Sequence, residues 1–248
     1  MIPLKSPEDL ILLKRSGEIL ARVMRKIEAA MCPGITTLDI DSLSAELIRK
    51  EKAQAAFKDY KGFPGTACVS VNEEIVHGIP GSRVILEGDI VSIDLGVNYQ
   101  GFFSDMAVTL PVGKVDDDRL RLIAVTKQSL ELGIKQAKVG NYLTDISHSI
   151  QRYVESEGFS VVRQFVGHGI GKALHEEPEI PNFGRPGLGP LLKNGMVLAI
   201  EPMINLGGWE CEIIENGWTA VTQDGSPSAH FEHTVAITDK GPVILTKV

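Results

Sequence analysis

The chain has 248 residues, 43 % of them hydrophobic, with a formal charge of −7 and a pI near 5.4, which allows one large α/β domain or two small ones and excludes disorder and a nucleic-acid groove as the main function. No apolar run approaches the ~20 residues of a membrane span, and the polar start MIPLKSPEDL lacks a signal-peptide pattern, so a cytoplasmic protein is expected. Cys32, Cys68 and Cys211 are odd in number and form no CxxC pair, which argues against a disulfide framework or a structural zinc site and for reduced thiols.

In chain order, Ser6 before Pro7, Glu8 and Asp9 reads as a helix N-cap with proline in the first turn. Leu10, Leu13, Leu20, Met24 and Ile27 keep one face of that helix apolar to about Ala30, where Cys32-Pro33-Gly34 breaks it. Thr37 is expected to cap a second helix with Ile40, Leu43 and Leu47 on its apolar face. Strand-like segments run from Ala67 to Asp105, with a reversal through Asn98-Tyr99-Gln100-Gly101. Two further helices are predicted, from Asp117 with Leu120, Ile123, Leu130 and Ile134, and from Asn141 with Leu143, Ile146, Ile150 and Val154. The chain then returns to strands.

Two helices followed by strands therefore occur twice, and short motifs repeat in the same order. Gly34-Ile-Thr-Thr-Leu-Asp39-Ile40 parallels Gly140-Asn-Tyr-Leu-Thr-Asp145-Ile146, and His77-Gly-Ile-Pro80 parallels His168-Gly-Ile-Gly171. Gly88-Asp-Ile-Val-Ser-Ile-Asp94 parallels Gly195-Met-Val-Leu-Ala-Ile-Glu201, making Asp94 and Glu201 equivalent carboxylates. Asp105-Met-Ala-Val-Thr continues the series with Glu232-His-Thr-Val-Ala if an insertion near Trp209 to Ser226 is allowed. With no Pro/Gly/Ser-rich linker between them, halves of about 1–112 and 113–248 are expected to share one sheet within a single domain, packed about a pseudo-twofold axis.

The chemistry lies in five ionisable residues within apolar runs: VSIDLGV (Asp94), FFSDMAV (Asp105), FVGHGIG (His168), VLAIEPM (Glu201) and HFEHTVAI (Glu232). A buried carboxylate either takes up a proton or finds a cation. Lys172 and Arg163 are the nearest cationic residues in sequence, too few for four carboxylates, whereas two divalent cations would balance them charge for charge. Oxygen-rich ligation with one imidazole suits Mn, Fe(II), Co or Zn in a hydrolytic role, and a two-metal site can activate a shared water. A hairpin turning at Asn98 to Gly101 would bring Asp94 and Asp105 together. The glycines around His168 let backbone or a ligand approach the imidazole, although a core histidine bonded to a carbonyl is the alternative. His77, the repeat counterpart of His168, should project near the same centre. His175, taken alone, reads as a polar loop residue.

Taken in order, HGIP, IDLGVNYQGFFSD, GHGIG, HEEP, IEPM and FEHT resemble the type I methionine aminopeptidases of the pita-bread metallohydrolases, over nearly the whole chain. The resemblance implies an α+β pita-bread (creatinase/aminopeptidase) fold in which two pseudo-symmetric halves, each with two helices and antiparallel strands, surround a central dimetal site. It implies Asp94, Asp105, His168, Glu201 and Glu232 as ligands of two divalent metal ions, and Glu201 also as acceptor of the attacking water's proton. His77 and His175 are implied to contact substrate and stabilise the tetrahedral intermediate, and Tyr60, Phe63, Cys68, His77 and Trp218 to line the methionine pocket. Thioether contacts with aromatic rings make physical sense of that lining. The implied reaction is removal of methionine from the free N-termini of nascent polypeptides, with a small second residue preferred, by a monomer in transient contact with ribosomes. Phe63, Leu174 and His230 depart from residues frequent in the family.

Three other readings compete. Xaa-Pro aminopeptidases, prolidases and creatine-hydrolysing relatives normally carry an additional N-terminal domain, whereas the residues before His77 are already used by two helices and a strand. A catalytically inactive pita-bread binding protein would be expected to lose ligands, and all five are present. A mononuclear iron oxygenase needs two histidines and one carboxylate.

Overall fold

The computed structural model describes residues 2–248. Helix α1 (Pro7–Ala30) starts where Ser6 and Asp9 cap each other reciprocally, side chain to backbone at 3.1 Å in both directions. Helix α2 (Thr37–Lys50) is capped by Thr36 rather than Thr37. Asp39 returns the bond to the Thr36 N–H at 2.8 Å, and the Thr37 hydroxyl is engaged with Gly81 instead. Helix α3 (Asp117–Gln136) is capped by Asp116, and α4 (Leu143–Ser156) begins two residues after the predicted Asn141, with Asp145 accepting from the Tyr142 N–H at 2.8 Å. Most of the predicted apolar-face residues are buried, Leu13, Leu20, Met24 and Ile27 on α1 among them, each burial favouring the fold by roughly 1.5–3 kcal/mol, but Leu120, in the first turn of α3, is exposed.

The strands of the first half are β1 (Gln54–Ala55), β2 (Ala67–Val71), β3 (Glu74–Val76), β4 (Ile90–Tyr99) and β5 (Phe102–Pro111). Those of the second are β6 (Ser160–Val161), β7 (Gly167–Gly169), β8 (Glu176–Ile180), β9 (Val197–Ile200), β10 (Met203–Asn205), β11 (Cys211–Ile213), β12 (Ala220–Thr222), β13 (Ser228–His230), β14 (His233–Thr238) and β15 (Gly241–Ile244). β1 and β2 pair with β4, which pairs in turn with β5, and α1 packs across β4 and β5. The main sheet of the second half has the order β15-β14-β9-β7-β8. The sequence segment allowed for as an insertion is the β11–β12 hairpin, and β12 pairs onto β3 of the first half.

The main sheets of the two halves are separate, contrary to the expectation of one shared sheet, and only the small β11-β12-β3 sheet draws strands from both. They meet where β5 lies antiparallel to the β13–β14 segment, joined by one backbone bond from the Glu232 N–H to the Ala107 oxygen at 2.9 Å. On either side a threonine hydroxyl stands between the strands. That of Thr234 accepts the Asp105 N–H and donates to the Asp105 carbonyl, and that of Thr109 accepts the His230 N–H and donates to the His230 carbonyl, every distance being 2.8 Å. The interposed hydroxyls hold the backbones too far apart for a regular ladder while leaving no buried N–H or C=O of Asp105 or His230 unpaired.

Register also corrects part of the repeat. In the β4–β5 hairpin Asp94 faces Ala107 and Gly96 faces Asp105, so the two aspartates are diagonal neighbours on one face rather than a directly opposed pair. In the second half Ile200 faces His233 and Met203 faces His230, which puts Glu201 directly across from Glu232. With Asp94 matched to Glu201, Thr109 matches Thr234 and Asp105 matches His230. The alignment of Asp105 with Glu232 is thus out of register by one full side-chain period. Side chains alternate with a period of two, so the displaced carboxylate still faces the same side.

Candidate active site

The faces of the two hairpins converge on a cavity of about 300 Å³ whose lining includes Asp94, Asp105, His168, Glu201 and Glu232, together with His77, His175, Tyr60, Phe63, Cys68 and Trp218. Asp94 and Asp105 project from the β4–β5 hairpin, Glu201 follows β9, and Glu232 precedes β14. Pro202 weakens the ladder there, since it has no N–H to donate and only its carbonyl is paired, accepting the Phe231 N–H at 3.3 Å, and the backbone of Glu201 is held by the Asn182 amide at 2.9 Å. His168 lies in β7, flanked by glycines for a reason the sequence left open. A Cβ at Gly167 would stand 2.4 Å from the Ala199 oxygen and one at Gly169 2.1 Å from the Glu177 oxygen, so the glycines admit neighbouring strands, not a ligand.

Ligand atoms of Asp105, His168 and Glu232 lie within 4.8 Å of one another. His168 Nε2 is 3.6 Å from Glu201 Oε1 and 3.9 Å from Asp105 Oδ2, while its Nδ1 is 2.8 Å from the Gly169 carbonyl. A ring whose Nδ1–H is donated to a carbonyl presents a lone pair at Nε2 to the carboxylates. Burial comes first in raising every carboxyl here. Asp94 is pushed up to about 6, with neighbouring Glu201 adding to the effect, and Glu201 is pushed up to about 7. Asp105 and Glu232 are likewise raised well above the usual carboxylate range, by burial first and then by the other carboxylates. Asp94 Oδ1 and Glu232 Oε1 are buried without any hydrogen-bond partner. Lys61 is the one cationic side chain among the lining residues, and it is exposed. Unpartnered carboxylate oxygens, an imidazole lone pair and no compensating lysine or arginine within the cluster are what divalent cations fit.

The histidines beside this cluster are neutral imidazoles. Burial holds His77 down to about 4 and His175 down to about 3. His77 has a left-handed backbone, φ 60°, a conformation costing about 1 kcal/mol outside glycine, and its ring packs edge-on against Phe165 at 5.5 Å. His175 Nδ1 is 2.8 Å from the Tyr60 hydroxyl, and its ring lies 4.3 Å from that of His168 across the β7–β8 pair. Phe63 meets Trp218 edge to face at 5.3 Å, and Cys68 sits opposite Asp94 in the β2–β4 register, where burial and then the carboxylates push its thiol up. Lining residues absent from the sequence reading include Phe57, Gln164, Phe165 and Met203. Phe165 opens the FVGHGIG motif, Gln164 stands just before it and Met203 follows Glu201-Pro202, so proximity to the His168 and Glu201 motifs was the available signal. Phe57 carried none. His230, 1 % exposed, has an unpartnered Nε2 3.6 Å from Glu201 Oε2.

Comparison with known proteins agrees with this geometry. The model of metallopeptidase family M24 matches residues 12–239. Methionine aminopeptidase 1 of Bacillus subtilis is 51 % identical over 248 residues, covering 100 % of both chains. The crystal structure of methionine aminopeptidase from Thermotoga maritima superposes with a TM-score of 0.99 at 49 % identity, again over 100 % of both chains. A prolidase from Pyrococcus furiosus shares the fold at a TM-score of 0.81 and 21 % identity, over 99 % of this chain but 65 % of its own. This pita-bread chain belongs to metallopeptidase family M24 and, within it, to the methionine aminopeptidases.

Proposed function

We propose that this metal-dependent hydrolase removes the N-terminal methionine from nascent proteins and peptides, with a small second residue preferred. The observation that carries the reading is the convergence of four buried carboxylates and one imidazole, two carboxylate oxygens unpartnered, on a single cavity walled by aromatic and sulfur-bearing side chains. Asp94, Asp105, His168, Glu201 and Glu232 would hold two divalent ions, Mn, Fe(II), Co or Zn by their donor set, and these when bound polarise a carbonyl and lower the pKa of water.

The protein's own groups do the rest. Glu201, which lines the cavity beside His168, takes the proton of the attacking water and passes it to the leaving nitrogen. His175 Nδ1 lies 2.8 Å from the Tyr60 hydroxyl, and the tautomer in which that hydroxyl donates leaves a proton on Nε2 to donate toward the oxygen that gains charge in the tetrahedral intermediate. His77, neutral by burial, supplies a second donor beside the scissile bond. Tyr60, Phe63, Cys68, His77 and Trp218 form the side-chain pocket, where the flexible thioether of methionine finds aromatic faces.

The same proposal includes a single catalytic domain built of two pseudo-repeats, about 1–112 and 113–248, acting as a cytoplasmic monomer with transient ribosome contact and no nucleic-acid substrate. Supporting it are the net charge of −7 and the fact that, among the described residues, no helix is long and apolar enough to cross a membrane. The test is release of methionine from a Met-Gly-started peptide after chelator treatment and metal restoration. Release that returns with metal and is absent with an acetylated N-terminus is expected. No release with any metal, from folded protein, would overturn the reading.

A further inference from the structure

Lysine is among the residues least often buried, yet Lys5 is 9 % exposed, its ammonium paired with Glu176 Oε2. The other oxygen of Glu176 accepts the backbone N–H of Lys172 at 2.8 Å and of Ala173 at 3.2 Å, so a single carboxylate closes the turn leading into His175. Lys5 is itself anchored, its N–H donating to the Gly195 oxygen at 2.7 Å. Glycine is needed at 171 to admit the pair, because a Cβ there would lie 2.2 Å from Lys5 Cε and 2.8 Å from Glu176 Oε1. Asp9, in the first turn of α1, adds an exposed pair with Lys172 at 3.3 Å. The segment from Lys5 to Asp9 thus crosses the 171–176 turn as a strap.

We infer that Lys5 is a positioning residue for His175, fixing the imidazole against Tyr60 by holding Glu176, its neighbour in the chain. The inference rests on the reading of His175 as a substrate-contacting group. Without the ammonium, the Glu176 carboxylate is left partly buried and uncompensated, and it gains by swinging toward water and releasing the turn. Glu176 is the first residue of β8, paired opposite Gly169, so the release acts on the side of the strand that carries His175. A displacement of about 1 Å at a group that orients the reacting bond costs up to about 10²-fold in rate.

The experiment measures kcat and KM for methionine release from a Met-Gly-started peptide, and Mn affinity by calorimetry, in metal-loaded wild type, Lys5→Met, His175→Ala and the double variant. Lys5→Met is expected to lower kcat by roughly 10- to 10²-fold with KM and Mn affinity within about twofold of wild type, and to add no further loss on the His175→Ala background. Glu176→Gln, which keeps an oxygen for the turn but loses the charge, should reproduce this pattern and serves where Lys5→Met does not fold. Asp9→Asn, which removes the charge pair with Lys172 while its amide oxygen can still accept the Ser6 N–H, should stay within about twofold of wild type. Normal kcat in Lys5→Met and Glu176→Gln alongside an impaired His175→Ala overturns the role of Lys5. So does a loss that recurs in full on the His175→Ala background. Full activity in His175→Ala overturns the reading of His175 itself, and the positioning role with it.

Discussion

At Glu201 one side chain serves two purposes, facing His168 through Oε1 and His230 through Oε2, each at 3.6 Å. Glu201→Gln preserves volume but removes the proposed proton acceptor. Turnover is expected to fall by roughly 10²–10⁴-fold with the melting temperature little changed, and near-normal turnover would contradict its role. His77 directly follows β3 and is not among the five residues proposed to hold the ions. Truncation to alanine is expected to cost about 10²-fold in kcat while calorimetric metal binding stays intact, and loss of metal in step with activity would show that it holds the ions instead. Glu201 was legible as a polar group inside an apolar run, which is rare, and His77 as the repeat counterpart of His168. Lys5 was not, since a lysine near a chain start carries no signal of burial until Gly171 and Glu176 fold over it.

Among the elements, the hairpins aim the carboxylates and the threonine bridges hold the hairpins together. Thr109→Val or Thr234→Val leaves a buried N–H and C=O of His230 or Asp105 without partners and is expected to destabilise by roughly 2–4 kcal/mol in denaturant unfolding, with Ser at either position recovering most of the loss. A cost below about 0.5 kcal/mol would mean that the bridges do not join the halves. Helices were read well because caps and apolar faces are local, and even the displaced cap moved only from Thr37 to its neighbour Thr36. Strand register was not legible to the same degree. A slip of one full period leaves every side chain on its proper face, so the pattern of residues alone could not tell Glu232 from His230 as the counterpart of Asp105. The expectation of one shared sheet failed for a related reason, since hydroxyls that replace a ladder look like ordinary strand threonines.

For the molecule as a whole, gathering buried carboxyls in one cavity weakens the metal-free fold in a pH-dependent way. Asp94 is pushed up to about 6 and Glu201 up to about 7, burial leading in both, while the unfolded chain ionises them near the usual ~4. Protonated carboxyls therefore favour the fold below the unfolded value, and that stability is lost as pH rises through about 6 to 7. The melting temperature of chelator-treated protein is expected to fall between about pH 5 and pH 8 and to recover at pH 8 when divalent metal is added. A flat or rising profile would contradict the arrangement of charges. The overall architecture was legible in the order of its motifs, whereas the closing of the cavity by Phe57 depends on contacts between distant segments that no local pattern encodes.

The most direct measurement is anomalous diffraction from crystals of the protein grown with Mn(II). Peaks within bonding reach of Asp94, Asp105, His168, Glu201 and Glu232 are expected, and they should vanish on soaking with chelator. Strong peaks only elsewhere, or none in crystals of protein that releases methionine in the presence of Mn(II), would contradict the assignment of these five residues as the metal centre.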